Sequence, residues 1–178
     1  MNRESTGNSN DYNLTEILKK IQRSCSIREY CSYQIEEKLI KWGVDSVDRF
    51  KVITNLKESK FIDDSRFLQA YIKDKHLLKK WGEKKIFWNL KRLGFCDNEI
   101  KDHLTDLLSQ DRYYENLKNI LLQKNQTYKH NLSKYQREQK LITFAISKGY
   151  NYNHIKSVLE QILINFAKEN NNSNEYDI

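Results

Sequence analysis

The chain has no proline and only five glycines in 178 residues. Lys, Leu, Ile, Glu and Asn are abundant, so helix is the expected state almost throughout. No apolar run approaches the ~18 residues of a membrane span. Residues 1–13 are polar and lack the apolar core of a signal peptide, so no leader is expected. Cys25, Cys31 and Cys96 are odd in number and match no metal spacing. They read as reduced, partly buried thiols of a cytosolic protein. His76, His103, His130 and His154 are scattered, and no two form an HExxH pair. The glycines are isolated, which excludes a Gly-rich phosphate loop, and no serine stands in a nucleophile-elbow context. These absences point away from an enzyme and towards a binding protein. No catalytic residue, metal ligand or cofactor is expected.

What is present is organised around residues 81–95, Trp-Gly-Glu-Lys-Lys-Ile-Phe-Trp-Asn-Leu-Lys-Arg-Leu-Gly-Phe. On a helix at ~100° per residue, Ile86, Leu90 and Leu93 form one apolar stripe with Phe87 at its edge. Lys84, Lys85, Trp88, Lys91 and Arg92 fall on the opposite arc. Gly94 sits where a helix ends in a left-handed residue, and Phe95 can fold back onto the last turn. A basic face carrying a tryptophan is unusual on a helix that already has a complete core stripe.

The pattern occurs three times, around Gly43, Gly94 and Gly149. Eight residues before each glycine stands Ile35, Ile86 or Leu141, and four before stands Leu39, Leu90 or Ala145. Val44, Phe95 or Tyr150 follows directly. Ile53, Leu104 or Leu159 comes ten residues after, and Leu56, Leu107 or Ile162 thirteen after. Amphipathic helices alone explain the four-residue steps but not positions shared across the glycine. The chain therefore reads as an array of helical units.

Charge is uneven. Residues 73–92 hold eight Lys/Arg against Asp74 and Glu83, and residues 118–148 hold seven against Glu138, a net of +6 in each. Either run alone could be a solvated face. Two at matching places in successive repeats predict a continuous basic surface facing a polyanion. The residues expected to carry it are Lys79, Lys80, Lys84, Lys85, Trp88, Lys91 and Arg92, with Lys134, Arg137 and Lys140. Trp88 either stacks on an unpaired base or protein side chain, or is covered by a neighbouring unit.

In chain order, residues 1–13 read as a disordered tail. Leu14 to Ser24 form a first helix, and Ser26 is expected to cap the next, with Glu29 at the capping-box spacing. The units are expected at residues 14–60, 61–110 and 111–168, followed by a disordered acidic tail at 169–178. In the second unit, Asp63 is expected as an N-cap and Asp64 as a first-turn acid complementing the helix dipole, rather than as a catalytic pair. Asp97, Ser133 and Asn151 or Asn153 are the expected starts of later helices.

Two motifs carry a resemblance. They are Phe61-Ile62-Asp63-Asp64-x-Arg66-Phe67-x-x-x-Tyr71 and Trp81-Gly82-x-x-Lys85-Ile86-x-x-x-Leu90-x-x-x-Gly94-Phe95. An echo follows in Arg137-x-x-Lys140-Leu141-x-x-Phe144-x-x-x-x-Gly149-Tyr150. Over Leu14 to Leu163 the chain resembles the RecX family, small bacterial regulators of the recombinase RecA. The resemblance implies an all-α fold of three tandem three-helix repeats in an elongated, curved molecule. It also implies binding along the groove of the RecA–single-stranded DNA filament, limiting its growth or promoting its disassembly in DNA repair and recombination. A cytoplasmic monomer with RecA filament and single-stranded DNA as partners, and no membrane, is the expectation. The chain departs from the family in being Lys-rich rather than Arg-rich and in its Asn-rich acidic tail. Two other readings stand beside this one: a general DNA-binding repeat protein acting without RecA, and a helical adaptor for proteins only.

Overall fold

The computed structural model describes residues 12–108, 111–128 and 132–173, with side chains as far as Ile162. Among the described residues all regular structure is helical: α1 (Leu14–Ile27), α2 (Ser32–Lys41), α3 (Ser46–Glu58), α4 (Asp64–Leu77), α5 (Glu83–Arg92), α6 (Asp97–Leu108), α7 (Asp111–Gln126), α8 (Lys134–Lys148) and α9 (Tyr152–Ser173). No helix among them is long and apolar enough to cross a membrane. The chain falls into two compact units, Met1–Ala70 and Tyr71–Ile178, with α4 running through the division.

The glycine-centred pattern is physical. Gly43, Gly94 and Gly149 have φ of +73°, +84° and +92°. In each case the N–H of the next residue bonds back to the helix: Val44 to Leu39 O (3.0 Å), Phe95 to Leu90 O (3.3 Å) and Tyr150 to Ala145 O (3.1 Å). Each glycine N–H bonds to the carbonyl three residues earlier, completing a Schellman turn that satisfies the last carbonyls of α2, α5 and α8. The matched apolar positions are buried at every site except Ile53, which is half-buried. Each fully buried Leu or Ile contributes ~1.5–3 kcal/mol, so five shared positions repeated three times account for much of the core.

The first unit is centred on Ile21, Ile35, Leu39 and Leu56, with Tyr12, Leu14 and Trp42 against them. Several expected boundaries differ. α1 continues to Ile27, and Ser26 lies inside it, its hydroxyl donating to Gln22 O at 3.0 Å. The cap of α2 comes from far along the chain instead. One carboxylate oxygen of Asp64 accepts from Ser32 N (2.7 Å) and the other from the Ser32 hydroxyl (2.6 Å), while Lys57 lies 3.0 Å away. Burial pushes the Asp64 carboxyl up, but these donors and Lys57 outweigh it and leave its pKa below the usual value. Asp63 caps its own helix, accepting from Arg66 N, and Arg66 reaches Glu29 at 2.7 Å. The acidic pair of the first motif is therefore structural.

Two of the expected tail residues are ordered. Asn13 caps α1, and the Tyr12 hydroxyl donates to Asp45 at 2.7 Å. At the other end α9 runs to Ser173, into the Asn-rich stretch expected to be unstructured; residues 1–11 and 174–178 lie outside the described residues. α6 begins at Asp97, so Cys96, not Asp97, holds the cap position, and Asn151 rather than Asn153 caps α9, accepting from Asn153 N at 3.0 Å. Ser133 opens α8 as expected, in a capping box with Gln136.

The second unit is knitted by a joint between α5 and α8. Gly82 N donates to Lys148 O (2.9 Å) and Lys84 N to Gly149 O (3.0 Å). The amides that α5 leaves unpaired at its start thus meet the carbonyls that α8 leaves unpaired at its end, with the two helix dipoles aligned favourably. The approach is close enough that a Cβ on Gly82 would lie 2.4 Å from Tyr150 N. Behind the joint is a buried polar group. His76 Nδ1 lies 3.0 Å from Trp81 O and its Nε2 lies 2.8 Å from Asn116 Nδ2, while Asn116 Oδ1 accepts from Lys80 Nζ at 2.7 Å. The arrangement is consistent with a neutral ring that donates from Nδ1 and accepts at Nε2. Tyr113 stacks on His76 and donates to Glu83. Burial, reinforced by Glu83, pushes the Tyr113 and Tyr150 hydroxyls well above the ordinary tyrosine pKa.

Candidate nucleic-acid interface

Within the second unit the lysines do not simply project into solvent. They alternate with aromatic rings along a connected band. Lys75 Nζ lies 4.8 Å from the centre of the Tyr71 ring and 5.5 Å from that of Trp81, and Lys85 covers Trp81 at 4.8 Å. Lys85 Nζ also reaches Ser147 O at 3.4 Å, and this leads across the α5–α8 joint to Lys148. Lys148 and Lys124 then flank Phe144 at 5.7 and 5.6 Å, and Lys124 and Lys140 flank Tyr128 at 5.4 and 5.8 Å. At the opposite end Arg92 lies near Tyr71, where its charge offsets part of the rise that burial causes in the Tyr71 pKa.

Each contact is within the ~6 Å reach of a cation–π interaction. Among the described residues, none of Lys75, Lys85, Lys124, Lys140 and Lys148 has a carboxylate within ion-pair distance. Positive charge is thus held in place by ring faces and left unneutralised. Phosphates need such cations, and unpaired bases can stack on such rings.

The structure divides the residues expected from sequence. Lys85, Arg92 and Lys140 lie in or beside the band. Lys79, Lys84 and Lys134 are exposed. Lys80 is committed to Asn116 and has a left-handed backbone (φ +54°). Lys91 is paired with Asp97 at 2.6 Å, and Arg137 is bonded to the Asn125 side chain at 3.0 Å. Trp88 is 65% exposed, so no neighbouring unit covers it among the described residues.

Lys75, Lys124, Lys148 and their aromatic partners were missing from the expected set. The three lysines lie in the two basic runs, and Phe144 stands one turn before Lys148 on α8, a spacing present in the sequence. Trp81 and Tyr128 lie outside the helices, and the approach of Lys75 to Trp81, of Lys124 to Phe144 and of Lys140 to Tyr128 comes only with the fold. No cluster of His, Cys, Asp and Glu fit to hold a metal is found among the described residues.

Fold and surface together define a protein of tandem three-helix repeats with a lysine–aromatic face. Residues 110–159 match the family model described as the third three-helix domain of RecX. The chain is 33% identical over 151 residues to the regulatory protein RecX of Clostridium botulinum (strain Eklund 17B / Type B), covering 84% of this chain and 67% of that protein. To the regulatory protein RecX of Clostridium tetani (strain Massachusetts / E88) it is 33% identical over 149 residues, 83% of this chain and 66% of the relative. A third, from Clostridium perfringens (strain SM101 / Type A), is 31% identical over 74% of this chain and 61% of its own length. The chain thus spans about two thirds of the length of the relatives it matches. The crystal structure of RecX from Lactobacillus salivarius superposes with a TM-score of 0.75 at 19% identity, over 85% of this chain and 97% of that one, which supports the fold. The chain belongs to the RecX family of regulatory proteins.

Proposed function

We propose that this protein binds the RecA–single-stranded DNA filament and modulates RecA, inhibiting its recombinase and ATPase activity in DNA repair and recombination. The observation that carries the reading is the lysine–aromatic band. A track of unneutralised cations with ring faces between them suits a nucleoprotein filament of any sequence, because phosphate contacts give affinity without base readout. Contact falls to Lys75, Lys85, Lys124, Lys140 and Lys148 with Arg92. Lys79, Lys84 and Lys134 add to the local field. Lys80, Lys91 and Arg137, each engaged internally, position the elements that carry the others. Repeat boundaries at residues 14–60, 61–110 and 111–168, a monomeric state and a cytoplasmic location belong to the same proposal.

The test is RecA ATPase and strand exchange on single-stranded DNA, titrated with this protein. A concentration-dependent fall in rate supports the reading, and an unchanged rate at saturating protein rejects it. A second reading, DNA binding without RecA, is favoured by the same band, since stacked rings and lysines suffice for single strands. Gel shift at moderate salt with and without RecA separates the two.

A further inference from the structure

Each three-helix unit places its second and third helices side by side, and in two of the three a charge pair spans the groove between them. Across α2 and α3, Arg49 Nε lies 3.8 Å from Glu36. Across α8 and α9, Lys156 Nζ lies 3.1 Å from Glu138. The groove between α5 and α6 is different. Glu83 holds the position before Gly94 that Glu138 holds before Gly149, and Lys101 holds the position after Gly94 that Lys156 holds after Gly149. Yet Glu83 turns to the other side, one carboxylate oxygen accepting from the buried hydroxyl of Tyr113 and the other lying 3.8 Å from His154 Nδ1.

Lys101 is left without a carboxylate at ion-pair distance among the described residues, and Asp97, one turn back, is held by Lys91. The groove beside it stays open, with a volume of about 400 Å³. Lys84 and Lys101 stand on its rims, Phe87, Trp88, Leu104 and Leu108 give it an apolar floor, and Glu83 and Thr105 complete the lining, with Trp88 65% exposed.

We propose that the α5–α6 groove is a docking site for an acidic, apolar peptide segment of a partner protein. A carboxylate of that segment takes the place between Lys84 and Lys101 that Glu138 fills beside Lys156. An adjacent aliphatic or aromatic side chain covers Trp88 and the apolar floor. Charge on the two walls favours a peptide over nucleic acid. α6 exposes Asp97, Glu99, Asp102 and Asp106 around the single Lys101, so a run of phosphates along that wall is repelled while one carboxylate at the rim is accepted. The inference goes beyond the RecA reading and stands whether or not the lysine–aromatic band binds a filament.

The test uses the full chain and a short synthetic peptide carrying one Asp flanked by Leu and Phe, followed by tryptophan emission. The expected result is a saturable emission change that is absent in Trp88→Phe. Replacing the peptide's Asp by Asn weakens binding by about fivefold or more, the range of exposed charge pairs acting together. Lys101→Glu loses the Asp peptide and gains affinity for a version carrying Lys in place of Asp, with an unchanged thermal melt showing that the fold is intact. Equal binding of the Asp and Asn peptides, indifference to Lys101→Glu, or displacement of the peptide by oligothymidylate would each overturn the proposal, the last by giving the groove to nucleic acid.

Discussion

Gly43 and Gly149 end equivalent helices in the same left-handed turn, but their surroundings differ. A Cβ at Gly43 meets nothing within 4 Å, whereas one at Gly149 would lie 2.3 Å from Lys85 Cβ and 2.6 Å from Lys85 N. Gly43→Ala should therefore cost only the left-handed penalty of ~1–2 kcal/mol. Gly149→Ala adds an overpacking cost of ~1–3 kcal/mol and opens the α5–α8 joint. Urea denaturation of the two variants checks this, and equal losses would show that the joint is loose. His76 offers a second test at this scale. Burial lowers its pKa, and Lys80 acts in the same direction, against the Trp81 carbonyl and Glu83, which favour the charged ring. A folded pKa below the unfolded value of ~6.5 means that the unfolded chain binds the extra proton first. The contribution to stability is complete above about pH 6.5 and is lost as pH falls towards the folded pKa, at up to ~1.4 kcal/mol per pH unit. The depressed carboxyls of Asp45, Asp64 and Asp97 act at lower pH, as pH drops through the carboxylate range. Melting curves between pH 7 and 5 should show a slope in the native protein that His76→Gln lacks.

Helix α5 shows how far an element can be read before its neighbours are known. Ile86 and Leu90 are fully buried and Trp88 is exposed, as the 100° wheel requires. Leu90→Ala should therefore cost ~2–5 kcal/mol of stability. Trp88→Ala, two residues away, should stay within about 0.5 kcal/mol, as for most surface changes. Paired thermal melts decide it, and a large loss in Trp88→Ala would mean that the indole packs after all. The three glycine turns were equally legible, because Schellman geometry is local and leaves a fixed offset between glycine and core. What stays hidden depends on contacts that no single helix makes. Ser26 was expected to cap α2, because its spacing to Glu29 fits a capping box, whereas the donor groups of Ser32 are satisfied by Asp64, thirty-two residues on. Lys80 and Arg137 carry the same charge in a sequence as Lys85, and only Asn116 and Asn125 reveal that they serve the fold. Trp81 stands in a sequence motif, and its role as the ring between Lys75 and Lys85 depends on the turn after α4.

At the scale of the whole molecule, lysines from the two +6 runs join in one band because α5 and α8 meet end to end. A cation bound only to water gains little from a neighbour. A cation resting on a ring face loses some freedom before it meets a phosphate, so less order has to be imposed on binding. Lys75, Lys85, Lys124, Lys140 and Lys148 should therefore act as a set on polyanion affinity. Each phosphate contact to a single strand contributes ~0.7 to the slope of log affinity against log salt concentration. Replacing Lys124, Lys140 and Lys148 by Ala should flatten that slope by about 2 for single-stranded DNA or its RecA filament. The helix content should hold, because none of the three side chains belongs to the buried core. Lys91→Ala supplies the contrast, since that ammonium is already paired with Asp97 and its loss should leave the slope nearly unchanged. Fluorescence anisotropy across a salt series measures both. If the triple variant and Lys91→Ala alter the slope alike, the band has no special share in binding and the charge of the chain acts only as a diffuse field.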